Sequence, residues 1–399
     1  MPFKESSRME ERIALLRAVE SGVFSVSDLA ARHGVSRETV YQWKRRRESG
    51  DERWFEEKSR APLHCPHATA PALIEAIVAL RRRFERFGPK KLRARLMQER
   101  PDVAWPAVST IGGILKREGL IEPVRRRSRP VDRGSVVAGS DQPNGEWAID
   151  FKGWFRTVDG TRVDPLTVSD TASRYLLDVR VTAPTHEGVK AHLTRIFKEI
   201  GLPDAIRSDN GVPFGSPGAG GLSRLAVWLL KLDIESRFIP PASPQHNGRH
   251  ERMHRTLKED TAQTPARSSS EQQARFDAFR QCYNEERPHE ALGQVPPATR
   301  WTPPSRKMPA TLVEPWYDPD HEARRVRTDG TIKWRGEPVF ISEALSGETV
   351  GIIEREDGGH LVRFCRRELG AIDRESRFHR FAPPRARLRY AVEPARQHT

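Results

Sequence analysis

Cysteine is scarce in this chain: Cys65, Cys282 and Cys365 are the whole complement of 399 residues, too few for a disulfide framework and too far apart for a Cys-x-x-Cys metal pair. No stretch approaches 18 consecutive apolar residues, and the opening MPFKESSRMEERI has no apolar core of the kind a secretory signal needs. These gaps argue against a secreted disulfide scaffold, a zinc ribbon and a membrane protein. They give the expectation of a soluble, cytoplasmic protein with no membrane contact. His64, Cys65 and His67 stand close together, but no second cysteine pair accompanies them, so there is no case for zinc.

What the chain does have is positive charge, unevenly spread. Residues 1–140 hold 29 Lys and Arg against 18 Asp and Glu, residues 141–302 hold 21 of each, and residues 303–399 hold 18 against 15. Neutralising phosphates with Lys and Arg releases condensed counterions, so the first segment has the footprint of a polyanion binder, for DNA or RNA. The neutral middle suits a site that gathers carboxylates and takes its positive charge as metal. A chain of this length is expected to form two to four domains.

Residues 1–60 read as a helix-turn-helix module. MEERIALLRAVE sets Ile13, Leu15, Leu16 and Val19 at helical spacing. In FSVSDLAARHGVSRETVYQWKRRR, Ser27 is expected to cap a helix ending at Gly34, and Ser36 to cap the next. That last helix would enter the major groove, with Arg37, Glu38, Thr39 and Gln42 at base edges and Lys44, Arg45, Arg46 and Arg47 on phosphates. A structural helical hairpin with a solvated basic end is the plainer alternative. Residues 69–121 carry a second helical unit, in PALIEAIVALRRRFERF, GPKKLRARLMQER and VSTIGGILKREGLI, the last capped by Ser109; it resembles a winged helix-turn-helix. Its Arg81, Arg82, Arg83, Lys90, Lys91, Arg93 and Arg95 are candidates for a phosphate track, or else form a solvated face. Residues 122–144, rich in Pro, Gly, Ser and Arg, read as a basic linker along DNA.

From 145 to 302 short apolar and β-branched runs give three successive strands, followed by helix, strand, helix, strand and helix. Three acids stand out within it. Asp150 closes the apolar run EWAID, Asp209 sits in AIRSDNG, and Glu251 sits in PQHNGRHERMHRTLK. The first two read as strand ends and the third as helical. Most acids are surface acids with no special role. Three carboxylates drawn together, however, repel one another, and a pair of divalent cations both relieves that and suits in-line displacement at phosphorus. Asn210-Gly211 and Asn247-Gly248 supply tight turns beside Asp209 and at the entry to the last helix. His254, Arg255 and Lys258, three, four and seven places beyond Glu251, are expected on its face, and Asp170 is expected to face the same region.

WAIDF, RSDNG and NGRHERMHRTLK, in that order behind helix-turn-helix units and a linker, resemble the integrase-core (DDE) transposases of bacterial insertion sequences. The resemblance covers nearly the whole chain. It implies a multidomain protein: all-α helix-turn-helix modules, then an α/β ribonuclease H-like catalytic core with a mixed five-stranded sheet. It implies Asp150, Asp209 and Glu251 as catalytic and metal-binding residues for two Mg²⁺ ions, with Mn²⁺ as substitute. It further implies DNA partners in the element ends and the target, contacts to those ends from Arg255 and Lys258, and a nucleoid-associated assembly of at least two subunits. YNEERPHEALGQVPPATRW also resembles the family, and Tyr283, Asn284, Arg287, Pro288, His289 and Leu292 are read as fastening the tail of the core. One departure is the 41 residues between Asp209 and Glu251, longer than the family's usual spacing. The surplus is assigned to PFGSPGAGG at 213–221; a strict spacing would instead choose Asp233 or Glu235. Two other functions fit less well: a DNA-binding regulator with an unused catalytic fold, and a ribonuclease H-like nuclease.

Residues 322–382 read as short strands broken at Asp329-Gly330, Arg335-Gly336 and Asp357-Gly358-Gly359, and a small β-barrel is expected, with Arg324, Arg325, Arg327, Lys333 and Arg335 available for DNA. Residues 383–399 are expected to be a disordered tail.

Overall fold

The computed structural model describes residues 7–50, 52–57, 68–121, 136–138, 140–216, 218–239, 248–382 and 388–390, in two compact units divided between Ala70 and Pro71. His64, Cys65, His67 and Asn247, and most of the expected linker and tail, lie outside the described residues.

The first unit holds helices α1 (Arg8–Glu20), α2 (Val26–Arg32) and α3 (Arg37–Glu48). A capping box of Ser7 and Glu10 starts α1, and Ser36 starts α3 by accepting from the Thr39 amide. Between α2 and α3, Gly34 takes φ +63, the left-handed turn a glycine tolerates. Ser25, not Ser27, caps α2: its hydroxyl accepts from the Asp28 amide, while Ser27 already lies one residue inside the helix. Leu15, Leu16, Leu29, Ala30, Val40 and Trp54 close the core.

The second unit begins with α4 (Pro71–Arg83), α5 (Pro89–Glu99) and α6 (Val108–Arg117), packed on Ile77, Leu92, Ile111 and Ile114. Ala107 precedes α6 without a side-chain cap, so Ser109 is a helix residue rather than the cap expected. No strand flanks these three helices among the described residues, so no wing is seen there. The expected phosphate track is largely occupied within the protein. Arg81 donates to the Phe87 and Leu120 carbonyls, Arg93 to that of Pro106, and Arg83 and Lys90 pair with Glu286 and Glu290. Arg86 adds a 2.8 Å pair with Asp260. The segment after α10 therefore does more than end the core. It clamps the helical unit to it.

The central layer is a five-stranded sheet of β1 (Trp147–Phe151), β2 (Pro165–Asp170), β3 (Leu176–Val181), β4 (Ala205–Ser208) and β5 (Glu235–Phe238). Its order is β3-β2-β1-β4-β5, with β1–β2 and β2–β3 antiparallel and β1–β4 and β4–β5 parallel. Helices α7 (His186–Glu199) and α8 (Arg224–Lys231) cover one face through Val189, Leu193, Phe197, Leu225 and Trp228. The other face is covered by α9 (Gly248–Leu257) and α10 (Ser269–Gln281) through Met253, Leu257, Phe276 and Phe279. This mixed sheet with helices on both faces is the ribonuclease H-like arrangement expected. The read strands and helices fall where the alternation of short apolar runs put them.

The C-terminal residues do not form a barrel. Strands β6 (Glu322–Arg325), β9 (Thr349–Glu354), β10 (His360–Phe364), β11 (Arg367–Ile372) and β12 (Phe378–Arg380) make an open antiparallel sheet, ordered β12-β11-β10-β9-β6, beside a hairpin of β7 (Thr331–Trp334) and β8 (Glu337–Phe340). The reason is where the apolar face goes. Val350, Ile352, Val362 and Phe364 pack with Ala219, Leu222, Ala226, Val227 and Leu230 of the catalytic core, so the sheet closes on α8 rather than on itself. The Gly-rich surplus at 213–221 is part of this dock rather than a free loop. Within the segments expected to be linker and tail, Val136–Ala138 pairs antiparallel with Leu388–Tyr390. Short runs such as VVA and LRY satisfy their backbone groups by this pairing.

Candidate active site

The register of two parallel strands decides where the first two acids stand. β1 and β4 pair Trp147 with Ile206 and Ala148 with Arg207, an offset that, continued, would match Asp150 with Asp209, one residue past the end of β4. Both lie at the C-terminal ends of adjacent parallel strands, where α/β sheets present their ligands. A buried charge cluster at the other end holds this register. Glu146, just before β1 and 1% exposed, meets Arg207 of β4 at 3.3 Å and Arg237 of β5 at 3.2 Å.

Asp209 is exposed on a tight turn. Its Oδ1 accepts from the Gly211 amide at 3.1 Å, and the Asn210 side chain donates to the Ile239 carbonyl, fixing the turn to the end of β5. A Cβ on Gly211 would stand 3.2 Å from Asp209 Oδ2, so glycine keeps that carboxylate open to a ligand.

Asp150 is held from three sides. Thr167, its antiparallel partner on β2, donates its hydroxyl to the Asp150 carbonyl at 3.0 Å. The same Oγ1 lies 2.7 Å from Nε2 of His250 and 2.7 Å from Nε2 of His254, both on α9. His254 Nδ1 in turn stands 3.9 Å from Asp150 Oδ2. The two rings meet edge to face at 4.5 Å. Burial pushes the His254 imidazole down to about 3 and depresses that of His250 well below its ordinary value, so both are neutral at physiological pH.

Glu251 is on the same helix but on its exposed side, together with Arg255 and Lys258. The inward side is His250, Met253, His254 and Leu257. His254 was expected beside Glu251 among the cations, whereas it points inward. The side chains whose ligand atoms gather within 4.8 Å are therefore Asp150, His250 and His254, and not the three acids. His250 was missed by sequence reasoning, although two histidines four apart on the apolar stripe of a helix were a legible signal.

The remaining acids stand apart. Asp170 pairs with Trp147 at the opposite end of β1 and accepts from Asn144 and Ser173, so it braces a turn instead of facing Asp150. Asp233 pairs with Arg306 and Arg366, and Glu235 with Arg237, at the sheet's other end. Neither has the placement a strict spacing would need.

In the first unit, Arg37, Glu38 and Gln42 are exposed along α3, and Thr39 is half-buried with its hydroxyl against Ser36. Glu38 pairs with Arg45, Lys44 with Glu48, and Arg47 with Glu20 while stacking on Trp54. Arg46 is half-buried. Arg37, Glu38 and Gln42 thus face outward from α3, Glu38 engaged by Arg45.

Residues 140–244 and 232–297, which span the mixed sheet ordered β3-β2-β1-β4-β5, match two models of the integrase core domain. Residues 11–53 match a helix-turn-helix domain. The chain thus carries an integrase core domain behind a helix-turn-helix domain, and proteins of bacterial insertion elements are among its relatives. It is similar to the insertion element IS476 uncharacterized 39.2 kDa protein of Xanthomonas euvesicatoria, 28% identical over 60% of this chain and 66% of that protein. It is also similar to the insertion element IS407 uncharacterized 31.7 kDa protein of Burkholderia multivorans, 27% identical over 60% of this chain and 85% of that one. A Gag-Pol polyprotein of baboon endogenous virus is 31% identical over 53% of this chain and 12% of its own length. The match thus spans just under two thirds of the IS476 protein. Among solved structures, the chain is similar to the simian T-cell lymphotropic virus intasome in complex with PP2A regulatory subunit B56 gamma. That likeness has a TM-score of 0.36 and 16% identity, over 80% of this chain and 99% of that one. No described helix is long and apolar enough to cross a membrane.

Proposed function

We propose that this protein is a transposase that binds the ends of its own mobile element and performs metal-dependent strand cleavage and 3′-hydroxyl strand transfer into target DNA. One observation supports this above the others: the parallel pairing of β1 with β4, whose offset continued would match Asp150 with Asp209, together with the docking of the helix bearing Glu251 on Thr167, the strand partner of Asp150, through His250 and His254. An oxygen-rich set of three carboxylates suits two Mg²⁺ ions, with Mn²⁺ as substitute. When bound, the ions supply Lewis-acid stabilisation of the attacking and leaving oxygens. Asp150 and Asp209 hold them from the sheet, and Glu251 closes the set from α9. Arg255 and Lys258, on the exposed side with Glu251, grip the backbone of the element's end. In the first unit, α3 reads base edges through Arg37, Glu38, Thr39 and Gln42, and Lys44, Arg45, Arg46 and Arg47 meet phosphates. Hydrolysis at the end leaves a 3′ hydroxyl that attacks the target phosphodiester. Two ends held together require at least a dimer on DNA.

The test is to incubate the protein with Mg²⁺ and duplexes carrying the DNA that flanks its gene. End nicking followed by joined products is expected. Binding without nicking would assign the chain to regulation, and structure-specific cutting without joining would make it a nuclease.

A further inference from the structure

We propose that Trp154, with Arg156 and Arg162 beside it, is a stacking surface for an unpaired base of the DNA end, a few residues beyond Asp150. The proposal deepens the transposase reading, since it takes a DNA end as the occupant.

A small ribbon carries the surface. Strands Phe155–Arg156 and Arg162–Val163 pair antiparallel, with Phe155 opposite Val163 and Arg156 opposite Arg162. Alternation along each strand gives the ribbon two unlike faces. Phe155 meets Phe276 edge to face at 6.5 Å, and Val163 is buried with Met253 and Leu257 of α9, the helix that bears Glu251. Arg156 and Arg162 are exposed, and so is Trp154, at 58%. The turn between the strands is tied down: the Val158 and Asp159 amides donate to the Ala266 and Arg267 carbonyls at 3.0 and 3.1 Å.

Two features of the exposed face are unfavourable for the protein alone. Like charges directly across an antiparallel pair repel. Arg162 is compensated by two 2.8 Å bonds to Asp164, whereas among the described residues Arg156 bonds the neutral Gly160 carbonyl and no carboxylate. A tryptophan left mostly in water also forgoes the burial that gives this residue its value in cores and interfaces. The two guanidinia lie over the indole, 5.9 and 5.0 Å from its centroid, which holds the ring in one place. A ligand with a flat ring beside a negative charge relieves both features, and a nucleotide is such a ligand. Position selects the DNA end. Four residues on from Asp150, the Cα of Trp154 is at most about 14 Å from that of the acid, a reach of a few nucleotides. A base inside a duplex already has both faces stacked, so only an unpaired one can use the indole.

The experiment uses the full chain in EDTA, so that binding is read without cutting. The probes are duplexes carrying the DNA that flanks the gene, one blunt and one with a short single-stranded tail containing 5-bromouracil. Affinities come from fluorescence anisotropy. Near-ultraviolet light joins bromouracil to an aromatic ring stacked on it, and peptide mass spectrometry locates that ring. The wild type is expected to bind the tailed duplex about tenfold more tightly than the blunt one and to crosslink at Trp154. Trp154→Ala should lose both the preference and the crosslink at an unchanged melting temperature, and Trp154→Phe should keep most of the preference. No tail preference in the wild type, a preference that survives in Trp154→Ala, or a crosslink that maps elsewhere overturns the proposal. Adding Mg²⁺ separates it from the reading it rests on. End nicking without tail preference removes only the stacking surface, whereas tail binding through Trp154 with no nicking removes the transposase reading and leaves a surface for single strands.

Discussion

Asp150 is fixed through its backbone as well as its carboxylate, since Thr167 bonds its carbonyl and anchors two histidines around it. Such buried neutral imidazoles make the protein acid-sensitive. His192 is pushed down to about 4 and His289 to about 3 by burial. Asp178, 3.7 Å from His192, does not reverse this because Arg195 and Arg180 already engage it. A free histidine titrates near 6.5, so between about pH 6.5 and 4 the unfolded chain binds protons that the folded one refuses. Stability is then full well above pH 6.5 and falls on acidification through that window. Urea midpoints at pH 8, 6 and 5 should fall in step; equal midpoints at pH 7 and 5 would contradict the neutral assignment. At this scale the sequence made Asp150 and Asp209 visible, because an apolar run ends at one and an Asn-Gly turn follows the other. The inward side of α9 was obscured: His254 read as one of a series of cations, and the packing that turns it from Arg255 and Lys258 is set by sheet contacts distant in sequence.

Among elements, the pairing of β1 with β4 matters most, since slipping it by one residue would turn every side chain of the strand to the other face. The cluster of Glu146, Arg207 and Arg237 pins it. Replacing Arg207 with Met leaves the buried Glu146 to Arg237 alone and should destabilise the second unit by about 1–3 kcal/mol. The double variant Glu146→Leu, Arg207→Met should recover most of that loss. Chemical denaturation of the three proteins measures it, and a single variant within about 0.5 kcal/mol of wild type would remove the pin. Element order was legible because periodicity switches plainly between 2 and 3.6 along residues 145–260. Caps were less so: Ser25 and Ser27 both precede an apolar pattern, and only the actual turn selects Ser25.

Over the whole second unit, the C-terminal sheet and the α4–α6 bundle are both fastened to the catalytic core. Lys231 of α8 pairs with Glu348, and Arg367 donates to the Ser236 carbonyl on edge strand β5. The barrel expectation failed for a reason the sequence did contain. Leu225 through Leu230 of α8 are all buried, and a helix apolar all round needs a layer on each side. Ending the chain after residue 302 should expose Ala226, Val227 and Leu230 and drive self-association. Light scattering measures this, and a monodisperse truncated protein with an unchanged melting temperature would argue that the dock is weak. Ion pairs across the unit also lower the number of basic residues open to phosphate below the sequence count.

Anomalous diffraction from crystals grown with Mn²⁺ tests the central claim most directly. The account predicts two peaks about 4 Å apart, one between Asp150 and Asp209 and one between Asp150 and Glu251. Peaks remote from these carboxylates, or none at saturating Mn²⁺, would contradict it.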